Sequence, residues 1–249
     1  MSGIAFLVLL GALWEAAGRG GWIHPVFFPP LSRILATLAG IVTSGEIFPH
    51  LAVSLWRGAL GYALAAVVAI ALGIVMGYWR RAYEAGEITI ELLRAVPPPV
   101  MIPVAMLFFG IGDAAKVFTI FFTCSFPILV NTIDGVRGVD PVLIRTARTF
   151  GLSNRQIVGK VILPAAAPFI MTGLRIATAI ALILVVVSEM IGATSGIGYF
   201  ILGNQRSLNV TKMYAGLFVL ALLGYAVNRA FLMVDARLMA WHRGLTRQT

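Results

Sequence analysis

Arg175 and Glu189 are the ionisable residues of the apolar run 165–191, set 14 positions apart (189 − 175) in this 249-residue chain. At 1.5 Å per residue that separation is about 21 Å along a helix, so the two cannot pair with each other. A charge inside an apolar span is costly and marks a solute path, a gate or a partnered acid–base pair. Arg175 is suited to attract an anion or to meet an acid on a neighbouring span. Glu189, near the end of the run, is suited to anchor a gate or to receive a partner protein. Met101, Met106 and Phe109 join these two as candidate pathway residues, although Met and Phe at such spacing read first as packing.

Enzymatic chemistry is not offered. Gly159-Lys160 does not close a phosphate loop of pattern G-x-x-x-x-G-K-[ST], because position 154 is Asn and position 161 is Val. Nucleotide is therefore expected to bind a partner chain and not this one. His24, His50 and His242 are too scattered to predict a metal site. No Ser/His/Asp set or carboxylate pair forms a catalytic constellation. The reading is a chain with no catalytic, cofactor-binding or metal residues. The lone Cys124 lies in an apolar run and reads as structural.

The elements that must position these residues follow from composition. Only 12% of residues are charged and 59% are hydrophobic, whereas a soluble domain carries roughly 25% charged residues. The chain reads as an all-α integral membrane protein, one domain over 1–249, with about six transmembrane helices. They are expected over 2–17, 55–78, 96–110, 114–133, 165–191 and 213–234. The first is short and has no basic stretch before it, which reads as an uncleaved span. A surface helix is expected after Pro30. The second span carries Gly58, Ala59, Gly61, Ala65, Ala66 and Ala69 for close packing. The third is expected to be broken, since Pro97, Pro98, Pro99 and Pro103 oppose an ordinary helix at its start.

Between the fourth and fifth spans lies the longest polar, basic stretch, 140–164, DPVLIRTARTFGLSNRQIVGKVILP. Asp140 is a good N-cap with Pro141 at the first helical position. Val142, Ile144, Ala147 and Phe150 make an apolar stripe, with Arg145 and Arg148 on the polar side. Gly151 is placed to end the first helix in positive φ. Ser153 and Gln156 are spaced as a capping box that starts a second, and Pro164 is expected to close the unit. Two short capped helices tethered to the membrane at both ends form a docking element.

Basic residues set an orientation. With this loop inside, the inner segments hold Arg80, Arg81, Arg94, Arg137, Arg145, Arg148, Arg155, Lys160, Arg237, Arg243 and Arg247, eleven in all. The outer ones hold Arg19, Arg33, Lys116, Arg206 and Lys212, five in all. This asymmetry predicts both termini in the cytoplasm and accounts for most of the formal charge of +9 without nucleic acid.

The 140–164 stretch resembles the cytoplasmic loop of permease subunits of binding-protein-dependent ABC importers: EAA, three residues, Gly, nine residues, then I-x-L-P. Ala147, Gly151, Leu163 and Pro164 match, and Val161 stands for Ile. Arg145 and Thr146 depart from Glu and Ala, which removes an acid that would pair with a basic group on the ATPase. FPPLSRIL, ELLRAVPPPVMIPVAMLFFGIG, FPILVNTIDGVR and SEMIGATSGIGYFI are similar to the nitrate/sulfonate/taurine branch. The resemblance implies the type I importer fold, with Arg145, Ala147, Arg148, Phe150, Gly151, Leu152, Ser153, Leu163 and Pro164 in a coupling helix. It also implies a homodimer, two cytoplasmic ATPase subunits that bind the ATP, a periplasmic binding protein, and the bacterial inner membrane. The solute class it implies is a small anion such as a sulfonate, taurine or nitrate. The alternative, a self-sufficient secondary transporter or channel, calls for inverted repeats and several intramembrane carboxylates, and neither is evident.

Overall fold

The computed structural model describes residues 2–20 and 26–240. His24, His242, Arg243 and Arg247, weighed above, lie outside them. Among the described residues every regular element is helical. In chain order these are α1 (Ser2–Arg19), α2 (Leu31–Thr43), α3 (Ile47–Tyr78), α4 (Arg80–Arg94), α5 (Pro98–Phe109) and α6 (Asp113–Arg137). Then follow α7 (Pro141–Thr149), α8 (Asn154–Ile157), a π turn (Val158–Ile162), α9 (Leu163–Met190), α10 (Ile197–Arg206) and α11 (Val210–Leu238).

Among the described residues, length and composition make four stretches fit to cross a membrane: Ile47–Tyr78, Asp113–Arg137, Asn154–Met190 and Val210–Leu238. Helices α4 and α5, bent by 100° at their break, qualify as a fifth only when taken together. The difference from six lies in the two shortest candidates. Helix α1 has 18 residues, the low end for a crossing. Helix α5 has 12, or about 18 Å of rise against a hydrocarbon core of ~30 Å.

The prolines at the start of α5 do not prevent a regular helix there. Pro98 and Pro99 occupy its first two positions, where a missing N–H costs nothing.

Pro164 likewise does not close a unit. Helix α8, the π turn and α9 run on as one 37-residue stretch from Asn154 to Met190. In an α-helix the Pro164 ring would collide with the carbonyl four residues back. The wider turn just before it, in which the Leu163 N–H reaches the Val158 carbonyl, relieves that collision.

The chain gathers into two compact units, Met1–Trp56 with Val186–Tyr225 and Arg57–Val185 with Ala226–Thr249. The second has a core of small and branched residues from α3, α6 and α9, including Ala65, Ala69, Ile120, Cys124, Ile128, Ala177 and Ala181. Helix α3 sits close on α6 because Gly73 and Gly77 carry no side chain. A Cβ on either would lie 2.6 Å from Thr132 or Val136. The Tyr62 hydroxyl donates to the Leu174 carbonyl at 3.0 Å, tying α3 to α9. In the first unit Ile41, Ile47, Phe200 and Ala215 are buried together. There Trp14 stacks on Phe28 at 4.7 Å and donates to the Pro29 carbonyl at 3.1 Å.

Candidate functional site

The 140–164 segment is held on one side and open on the other. The Asp140 carboxylate accepts the Val142 N–H at 2.8 Å and starts α7. At its end Gly151 takes φ +75°. The Leu152 N–H then reaches the Ala147 carbonyl at 3.1 Å and the Gly151 N–H reaches the Arg148 carbonyl at 2.9 Å. That pairing terminates the helix through a left-handed residue. Ser153 and Gln156 cap α8 reciprocally, at 2.9 and 3.4 Å.

Ala147, Ile157 and Ile162 are buried with Val136, Val139, Ala166 and Ile170 of the flanking helices. The Tyr78 hydroxyl pins Asn154 at 3.0 Å. Arg145, Arg148, Gly151, Ser153 and Pro164 remain exposed, Leu163 is 40% exposed and Phe150 is 79% exposed. The expected apolar stripe therefore splits. Ile144 and Ala147 turn inward, while Val142 and Phe150 face out. Phe150 sits at the C-cap, where the chain leaves the helical register.

Glu189 lies in the first unit and is 1% exposed. Its carboxylate oxygens each accept from the Ser54 hydroxyl at 2.8 Å, and one accepts the Gly198 N–H at 3.0 Å. Ser54 Oγ accepts the Ile197 N–H at 2.8 Å, and His50 Nδ1 accepts the Gly196 N–H at 3.1 Å. Three successive N–H groups at the start of α10 are thus satisfied by side chains of α3 and α9. Gly196 has φ +115°, and a Cβ there would lie 2.2–2.4 Å from the Glu189 carboxyl atoms. The carboxyl group occupies the space a side chain would need. Glu189 is therefore an internal anchor of the turn at 192–196, and not an exposed contact for a partner.

Arg175 lies elsewhere. It lines a cleft of about 180 Å³ with Pro168, Met171, Thr172, Phe231, Asp235 and Met239. Side chains on α9 lean toward its N-terminus, which directs Arg175 toward the Asp235 end of α11. The guanidinium makes no hydrogen bond or ion pair among the described residues and is exposed.

Met101 and Met106 are half-buried on α5. The Phe109 ring packs 4.9 Å from that of Phe118 on α6. None of these three lines the Arg175 cleft.

Two cations are buried with partners, one remote in the chain and one four residues back. Arg57 of α3, its side chain 4% exposed, donates to Asp113 at the start of α6 at 2.6 and 2.8 Å. Lys116, 2% exposed, donates to the Gly112 carbonyl at 3.0 Å. His50, weighed only as a metal ligand, and Ser54 gave no sign of this role, because a lone His and a Ser in an apolar helix read as incidental. Their partners lie 146 and 135 positions away. Among the described residues no group of His, Cys, Asp and Glu is arranged to hold a metal ion.

Long apolar helices, a bent proline-rich pair and an exposed basic loop packed on the helix ends define a polytopic helical membrane protein. Residues 69–240 match the family of binding-protein-dependent transport system inner membrane components, and the chain belongs to it. The taurine transport system permease protein of Escherichia coli (strain K12) is 32% identical over 244 residues, 96% of this chain and 89% of that one. The nitrate import permease protein of Leptolyngbya laminosa is 32% identical over 241 residues, 95% and 86% of the two chains. A solved methionine ABC transporter in an inward-facing conformation has the same fold, at TM-score 0.58 and 23% identity, over 76% of this chain and 92% of its own. The chain is a permease subunit of an ABC importer.

Proposed function

We propose that this permease carries a small anion, a sulfonate such as taurine or else nitrate, delivered by a periplasmic binding protein. It acts as a homodimer in the inner membrane, with both termini in the cytoplasm. Two ATPase subunits bind and hydrolyse the ATP, so this chain needs no cofactor of its own. The solute class is supported by relatives named for taurine and for nitrate.

The observation that carries the coupling role is the loop geometry. A segment capped at Asp140, Gly151 and Ser153 moves as one piece with α6 and α9, because Ala147, Ile157 and Ile162 are buried among them. Its outer side offers Arg145, Arg148 and Phe150 to a groove on the ATPase. The turn at 192–196, held by Glu189, forms the gate, and Arg175 draws the anion through its cleft. Met101, Met106 and Phe109 line or brace the path on α5.

The test is co-purification from mild detergent with the ATPase, comparing wild type with Gly151→Pro, together with uptake of taurine and of nitrate in the presence of the binding protein. Proline cannot adopt φ +75° and lacks the N–H that reaches Arg148. The variant is expected to hydrolyse ATP without uptake, or to lose the ATPase. Normal coupled uptake by Gly151→Pro would remove the coupling role.

A further inference from the structure

We infer that His50 is a positioning residue that makes the turn at 192–196 a proton-sensitive latch. The inference rests on the gate reading for its consequence in transport, and on geometry alone for the latch itself.

The Gly196 N–H is donated to His50 Nδ1 at 3.1 Å. A neutral imidazole accepts there only when its proton sits on Nε2. Protonation places a second N–H on Nδ1, facing the Gly196 N–H, and the hydrogen bond is lost. The next two N–H groups do not share this sensitivity. Ile197 is held by the Ser54 hydroxyl, and Gly198 by the Glu189 carboxylate. A proton on His50 therefore frees the turn at Gly196 while the start of α10 stays capped.

The surroundings suit a latch. His50 is half-buried, so protons reach it. The Tyr199 and Phe200 rings of α10, at 6.1 and 5.4 Å, hold its plane. Of the groups that titrate or carry charge around it, Tyr199 faces it from α10. Glu189 comes from α9, its carboxylate against the Cα of Gly196. Glu46 precedes it by one turn and is paired to Lys212 of α11 at 2.8 Å. Gly196 has no side chain to wedge the turn shut once the bond is gone.

The latch is read by hydrogen exchange of the peptide containing Gly196, expressed as a protection factor so that intrinsic exchange cancels. The sample is the full-length chain with its co-purified ATPase in lipid nanodiscs, from pH 8 to pH 5. Wild type is expected to lose about fivefold protection on acidification, the equivalent of one hydrogen bond. His50→Asn places an oxygen acceptor at the Nδ1 position without a titrating proton, and is expected to stay protected and flat across the range. His50→Phe is expected to be unprotected at every pH. Wild-type protection that ignores pH, or a pH step that survives in His50→Asn, would overturn the inference. The gate reading is read separately, by adding ATP and vanadate at pH 8. If that leaves protection of 192–198 unchanged while the His50-dependent pH step is present, the gate reading is lost and the latch stands.

Discussion

The Ser54 hydroxyl lies 2.8 Å from both carboxylate oxygens of Glu189, across 135 positions of sequence. One hydroxyl thereby joins α3 to α9, and through the Ile197 N–H it also joins both to α10. A buried carboxylate is tolerable only with such donors around it. Glu189→Ala is expected to strand the Ser54 hydroxyl and the Gly198 N–H and to cost about 3 kcal/mol. Glu189→Gln keeps one acceptor and is expected to cost about half as much. Thermal unfolding of the purified complex measures both. Equal stability of Glu189→Ala and wild type would mean that Glu189 does not anchor the turn.

Gly196, the N-cap of α10, and Gly203, inside it, form a contrasting pair. At Gly196 a Cβ collides with Glu189 and φ is +115°, so Gly196→Ala is expected to prevent the turn from closing, at a cost above about 2 kcal/mol. At Gly203 nothing lies within 4 Å, and alanine in a helix interior is expected to gain about 0.5–1 kcal/mol. Melting temperatures of the two variants should move in opposite directions.

The parts of this molecule that were legible in the sequence are those whose causes are local. Asp140, Gly151 and the Ser153–Gln156 pair each cap a helix through groups within a few residues, and their types and spacing state it. The membrane class followed from the scarcity of charge, and the fold from motifs spread along the chain. Pro164 misled because proline is ordinarily a stop, whereas here a π turn widens the helix before it. Glu189 was legible as costly and as suited to anchor a gate, but its partners were not, since Ser54 and His50 reach its turn from a helix far away in the chain. Arg175 and Glu189, similar in the sequence as lone charges in an apolar run, have opposite fates. One is enclosed by donors and the other lines an open cleft.

Arg57 and Asp113 give a coupling that can be measured. Arg57 is buried and Asp113 is more than half exposed, so solvent screens the pair and holds its worth near 1 kcal/mol. Arg57→Ala is expected to cost more than Asp113→Ala, because it also removes packing and the other contacts of a buried side chain. The double variant is expected to be about 1 kcal/mol less destabilised than the sum of the two singles. Strict additivity in urea or thermal unfolding would mean that the ion pair contributes nothing.

Arg175 separates a pathway role from a structural one. It is exposed in its cleft, and Asp235 stands among the lining residues. Removing it therefore leaves no buried donor unsatisfied, and Arg175→Ala is expected to assemble with the ATPase in wild-type yield and to melt within about 0.5 kcal/mol of wild type. If the guanidinium draws the anion, uptake falls by at least about tenfold, because a charge-assisted hydrogen bond to an anion contributes about 1.5–3 kcal/mol. Arg175→Lys keeps the charge but not the planar fork, and is expected to recover part of the uptake. Loss of assembly in Arg175→Ala would make Arg175 a structural residue of its cleft, and unchanged uptake in both variants would remove it from the solute path.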